Sequence, residues 1–223
     1  MRYFYLWIIC LTIVGFFIHS ETKKNFPLSV ALKGLASLCF VILGFLSARL
    51  AKDGQLAHNV LSGLCFGLIG DVLLNLRYVF AKKGKLIFLA GILVFLAGHI
   101  FYIIALIPKC GCLPVCLAAG AVMTVLLVVW LYRQIEASPV FRIFGVFYIG
   151  AIVIMTSIAI GILVTDASVF SGLFASGAVL FLASDIILIL NAFGSRQREW
   201  MRIGNLLLYY TGQLMIATSL QFI

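Results

Sequence analysis

Residues 86–107 read LIFLAGILVFLAGHIFYIIALI, with Lys85 before them and Pro108-Lys109 after. No Asp, Glu, Lys or Arg interrupts the run. A helix needs about 20 such residues to cross roughly 30 Å of hydrocarbon, whereas a barrel strand needs about 9–11. Inside a bilayer the backbone has no water to bond to, so a run of this length must be a helix that satisfies its own N–H and C=O groups.

The rest of the chain repeats the pattern. Comparable runs fall at 4–18, 28–47, 59–76, 113–131, 140–164, 169–190 and 206–223, which makes eight predicted spans. Hydrophobic residues make up 64% of the sequence and charged residues only 10%, far from the roughly 25% charge of a soluble domain. The expected fold is all-α, a polytopic membrane bundle of eight transmembrane helices forming one domain over residues 1–223. Short connections predict that consecutive helices pack as antiparallel neighbours. Pro27, Pro108, Pro114 and Pro139 all lie near span ends, where proline is tolerated. The first run is read as an anchor rather than a cleaved signal peptide, because no clean small-x-small site follows it. Residues 19–24 then read as a loop.

A net charge of +9 raises the question of nucleic acid. The basic residues stand singly or in small groups between apolar runs, with no basic domain or binding motif, so no nucleic-acid partner is expected. Their distribution orients the chain instead. Loops after spans one, three, five and seven carry Lys23, Lys24, Arg77, Lys82, Lys83, Lys85, Arg133, Arg142, Arg196, Arg198 and Arg202. The opposite loops carry only Arg2, Arg49, Lys52 and Lys109. Eleven against four places the first set in the cytoplasm and both termini on the other side.

The cysteines give no disulfide framework. Cys10, Cys39 and Cys65 lie in apolar runs, while Cys110, Cys112 and Cys116 cluster at one loop. Cys110-Gly-Cys112 has no second pair and no nearby histidine, so no zinc site is expected, and a local disulfide there is a weak alternative. The three histidines supply no set at one depth, which disfavours a zinc hydrolase. No cofactor is expected. There is no phosphate-binding glycine loop and no Gly-x-Ser-x-Gly elbow. Gly63, Gly67 and Gly70 are read as packing positions on span three.

Charge inside hydrocarbon costs at least roughly 2.5–3.5 kcal/mol, so intramembrane ionisable residues face the bundle interior and mark function. Lys33, Asp71 and Asp185 are the first candidates. The alternating topology puts all three in the half nearer the basic loops, at levels that differ by about one turn. Tyr209, Tyr210 and Gln213 enter from the same side, and Tyr209 and Gln213 share a helix face. Asp71 and Asn75 are another four-spaced pair; His99 and Tyr102 are three apart on span four. A single Lys–Asp pair that merely holds the bundle together is an even match for any one of these residues. Two carboxyls and one lysine leave an acid in excess, and such a pair can supply one acid and one base.

At these positions the chain resembles the YhhN/TMEM86 family of lysoplasmalogenase-like membrane proteins. The stretches that carry the resemblance are GLIGDVLL at 67–74, GHIFY at 98–102, FLASD at 181–185 and YTGQLMIATS at 210–219. The resemblance implies eight helices, and the length and sparse loops look like a bacterial inner-membrane form. It also implies hydrolysis of the vinyl ether bond of a lysoplasmalogen, giving a fatty aldehyde and glycerophosphoethanolamine or glycerophosphocholine. Its partners would be the lysophospholipid substrate and membrane lipid. Asp71 and Asp185 would be catalytic. Lys33, Asn75, His99, Tyr102, Tyr210 and Gln213 would bind or orient substrate. The rival readings are a proton-coupled transporter or channel, a hydrolase of another lysophospholipid or ether lipid, and a lipid-binding protein without catalysis.

Overall fold

The computed structural model describes residues 2–195 and 197–223. Eight α-helices run through them: α1 (Phe4–Thr22), α2 (Phe26–Ala48), α3 (Gly54–Val79), α4 (Gly84–Leu106), α5 (Leu113–Gln134), α6 (Pro139–Thr165), α7 (Val169–Phe193) and α8 (Glu199–Ser219). Short 3-10 turns sit at Ala81–Lys83, Ile107–Lys109 and Leu220–Phe222. Arg196, one of the basic residues that orient the chain, lies outside the described residues.

The helix ends follow local chemistry. Pro27, Pro114 and Pro139 occupy first-turn positions of α2, α5 and α6, where the missing N–H would have had no partner anyway. Asn25, Asp53 and Ser168 cap α2, α3 and α7 with side-chain oxygens. Residues 19–22, expected as loop, continue α1 for a further turn. The helix then closes with Lys24 at φ 57° and an Asn25 N–H donating to the Ser20 carbonyl, a Schellman-type end. This extra turn carries Glu21 to Arg202 on α8, 2.8 Å away.

Seven of the helices, α1 to α7, are long and apolar enough to cross a membrane. The molecule is an integral membrane bundle of seven to eight such helices. α8 is the most polar, with Glu199, Arg202, Asn205 and Gln213 along it. It starts before the expected residue 206 and packs on α7, α2, α1 and α3. Its apolar signal is weak because it carries these polar residues, of which Asn205 and Gln213 are buried against protein.

Consecutive helices pack together with one exception. α4 and α5 do not; α6 takes the place beside α4, and α5 lies outside against α6. The expectation of neighbour-to-neighbour packing therefore fails at that step. Composition explains it: α5 exposes Val115, Val122, Met123, Val125, Leu126 and Val129 and buries little, as suits a helix facing lipid. On α3 the glycines admit large neighbours. A Cβ at Gly63 would overlap the Tyr102 ring, and one at Gly70 would lie 2.6 Å from Phe95. α4 is thereby drawn against α3, and its aromatic rings reach the interior.

Candidate active site

Lys33 on α2 and Asp71 on α3 form a buried ion pair, with Nζ 3.2 Å from Oδ1. The other carboxylate oxygen, Oδ2, accepts from the Tyr209 hydroxyl at 2.6 Å and the Ser37 hydroxyl at 2.7 Å. Ser37 follows Lys33 by one helical turn, which aligns the two on one face, and its hydroxyl is also 2.9 Å from the Lys33 carbonyl. Every polar atom of this carboxylate thus has a partner, the condition under which a charge is tolerated in an apolar interior.

Asp185 on α7 has a different environment. Its Oδ2 accepts from the Tyr148 hydroxyl of α6 at 2.5 Å. No cation pairs with it among the described residues. The fold therefore holds two buried carboxyl groups, one beside an ammonium and one beside a phenol.

Both line one cavity of about 90 Å³, together with Lys33, Tyr148, Tyr209 and walls that include Phe88, Phe95 and Phe141. Lys33, Phe88, Phe141 and Asn205 also border an adjoining space of about 580 Å³. That outer space is lined by Lys24, Arg77, Lys85, Arg202 and Glu21, on the side of the basic loops. The arrangement is an apolar chamber with two acids behind a wide, basic mouth. The chamber itself holds only a few water-sized groups, and the larger volume lies in the adjoining outer space.

The sequence model of the YhhN family matches residues 28–220. The chain belongs to the YhhN family. No curated protein and no solved structure matches it. Membership supports a lipid-handling membrane enzyme, and the matched segment includes all residues that hold the two acids.

In this YhhN protein the remaining sequence candidates divide by position. Asn75 lines the outer space. His99, Tyr102, Tyr210 and Gln213 line neither space. They stand behind the acids. Tyr102 donates to Gln213 Oε1 at 3.0 Å, and Gln213 Nε2 donates to the Tyr209 oxygen at 3.4 Å. Tyr209 in turn reaches Asp71. Tyr210 lies 3.1 Å from Ser37 Oγ. His99 Nδ1 donates to the Phe95 carbonyl at 2.8 Å, and its ring stacks edge-on against Tyr148 at 5.3 Å. These four connect to the acids through contacts with Tyr209, Ser37 and Tyr148.

Three groups at the acids escaped the sequence reading. Ser37 and Tyr148 were not singled out, and Tyr209 was seen but not counted as a site residue. Tyr148 carried a usable signal, because a tyrosine inside a span rather than at its end must find a partner for its hydroxyl. Arg77 and Arg202 were counted only as loop charges.

At the opposite end of the bundle, at the start of α5, the three clustered cysteines come together. Cys116 Sγ lies 3.7 Å from that of Cys110 and 3.5 Å from that of Cys112. A Cβ at Gly161 of α6 would overlap Cys116 Sγ. The spacing that argued against a ligand set therefore does not keep the sulfurs apart, since α5 begins by folding Cys116 back over the loop. All six cysteines are free thiols, with no disulfide among them.

Proposed function

We propose that this YhhN protein is a lysoplasmalogenase-like hydrolase of the TMEM86 type, cleaving the vinyl ether bond of lysoplasmalogens. The observation that carries the reading is the shared chamber, in which two buried carboxyl groups with different partners face the same apolar space. Vinyl ether hydrolysis asks for that combination. A proton adds to the outer vinyl carbon and leaves an oxocarbenium ion. Water adds to the cation, and the hemiacetal collapses to a fatty aldehyde and the glycerophospho alcohol.

Asp185, with no cation beside it, donates the proton, held in place by Tyr148. Asp71, with Lys33 as its counter-ion, supplies negative charge to the developing cation and accepts a proton from the incoming water. Such acid–base steps contribute about 10²–10⁴-fold each, and a fixed charge in a water-poor site adds to them. Tyr209 and Ser37 fix the Asp71 carboxylate. The apolar walls receive the alkenyl chain. All eight helices span the membrane as one domain over 1–223, with α8 shielded by its neighbours. The basic mouth faces the cytoplasm of a bacterial inner membrane, and the termini face away.

The test is aldehyde release by the purified protein in detergent. A lysoplasmalogen and its saturated ether counterpart are supplied in parallel. Aldehyde from the vinyl ether alone is the expected result. A folded, lipid-binding sample that releases none rejects the vinyl ether assignment and points to another lipid linkage.

A further inference from the structure

The outer space holds cationic and donor groups that the hydrolytic steps do not use. Lys24, Lys33, Arg77, Lys85 and Arg202 line it against one acid, Glu21. Lys33 is taken up by Asp71 and Arg202 by Glu21. Among the described residues, Lys24, Arg77 and Lys85 have no acidic partner. The donors point the same way. Asn75 is only 4% exposed, and its Nδ2 has no hydrogen-bond partner. The Nε atoms of Arg77 and Arg202 are also buried and unpartnered. Arg77 is not a free surface chain, because its guanidinium lies 4.3 Å from the Phe88 ring and 4.7 Å from the Tyr78 ring. Buried donors normally find acceptors. Three residues that each carry an unsatisfied donor line one cavity with surplus positive charge, a setting that suits an anion rich in acceptor oxygens.

We propose that Arg77, Arg202 and Asn75 form a phosphate site at the mouth of the chamber, with Lys24 and Lys85 supplying long-range attraction. Arginine suits this role because its planar fork pairs with two oxygens at once. The site holds the phosphodiester of a lysophospholipid, whose glycerol then leads past Lys33 and Phe88 toward the two acids. That choice of ligand rests on the lipid reading above. The anion site itself rests on the cavity and its unpaired donors.

The experiment measures binding rather than turnover. A saturated 1-alkyl-glycerophosphoethanolamine, a 1-alkylglycerol of the same chain and inorganic phosphate are each titrated into the full-length protein in detergent. The wild type is compared with Arg77→Gln, Asn75→Leu and Arg202→Gln, with unliganded Tm as the check on folding. The expected result is that the wild type prefers the phospholipid to the alkylglycerol by about tenfold or more, the range of a charge-assisted hydrogen bond. Arg77→Gln and Asn75→Leu shrink that preference while leaving the alkylglycerol affinity unchanged. Competition by inorganic phosphate at low salt also supports the site; if free phosphate binds as tightly as the phospholipid, the anion site stands but its ligand is free phosphate. Equal affinities for the two lipids, or a preference untouched in all folded variants, overturns the proposal. Arg202→Gln also breaks the Glu21 pair, so Arg77→Gln decides if that variant fails to fold. Because neither lipid carries a vinyl ether, a protein that shows the preference but releases no aldehyde loses the hydrolase reading and keeps the site.

Discussion

At Asp71 and Asp185 the same side chain has two surroundings, and the partners separate their roles. Asp71→Asn and Asp185→Asn are each expected to lower vinyl ether turnover by at least about 10²-fold, with Tm and helix content showing that the fold persists. Tyr148→Phe removes the hydrogen bond that the Tyr148 hydroxyl donates to Asp185. It is expected to reduce kcat by about 10–100-fold, the value of a hydrogen bond to a charged group, without a matching change in KM. Lys33 carries a separate consequence. Lys33→Met leaves Asp71 buried without its counter-ion, at a cost of about 3–5 kcal/mol. The double variant Lys33→Met/Asp71→Asn removes both charges and is expected to recover most of the lost Tm. At this scale the charged residues were legible, because charge in an apolar run is conspicuous. Ser37 was not, since a short hydroxyl on an apolar helix is as readily bonded to its own backbone, as Thr156 is to the Ile152 carbonyl, and a mid-span tyrosine such as Tyr148 signals a buried partner without saying which.

Glycine spacing and end caps govern the helices. Gly63→Ala forces a methyl into the Tyr102 ring and is expected to cost about 1–3 kcal/mol, the usual range for overpacking. Gly15→Ala on α1 meets nothing within 4 Å and is expected to be neutral or slightly stabilising. Thermal melts of the two variants in one detergent distinguish the sites. The α3 cap has a pH dependence. The Leu56 N–H and the Lys109 ammonium, 3.1 and 3.2 Å away, hold the Asp53 carboxyl below its usual range. A lowered folded-state value means the stabilisation is present above the unfolded value, about 3.9, and is lost as pH falls through the folded one. Wild-type Tm is therefore expected to drop more steeply than that of Asp53→Asn below about pH 4. Helices α1 to α7 were legible from apolar length alone. The start of α8 was not, because its first turns carry Glu199 and Arg202 and lack an apolar run. The last turn of α1 was hidden as well, since residues 19–24 have the composition of a loop, yet 19–22 are helical and Glu21 pairs with Arg202.

Across the whole molecule, the bundle puts a wide cationic opening in front of a small apolar chamber with two acids. The sequence placed Lys33, Asp71 and Asp185 at one depth by counting residues along alternating spans. It gave no sign that α6 replaces α5 beside α4, because apolar runs do not encode which helix lies next to which. Tyr148 meets Asp185 across the consecutive α6–α7 pair, and it is the α4–α6 contact that sets the His99 ring against Tyr148. The central claim is that the acids protonate a vinyl carbon, and deuterium labelling tests it most directly. Lysoplasmalogen is turned over in D₂O, the aldehyde is trapped at once by reduction, and the product is analysed by mass spectrometry. One deuterium on the carbon next to the former aldehyde carbon, with product lost in Asp71→Asn and Asp185→Asn, is the expected result. Aldehyde lacking that deuterium, or full turnover in both variants, contradicts the account.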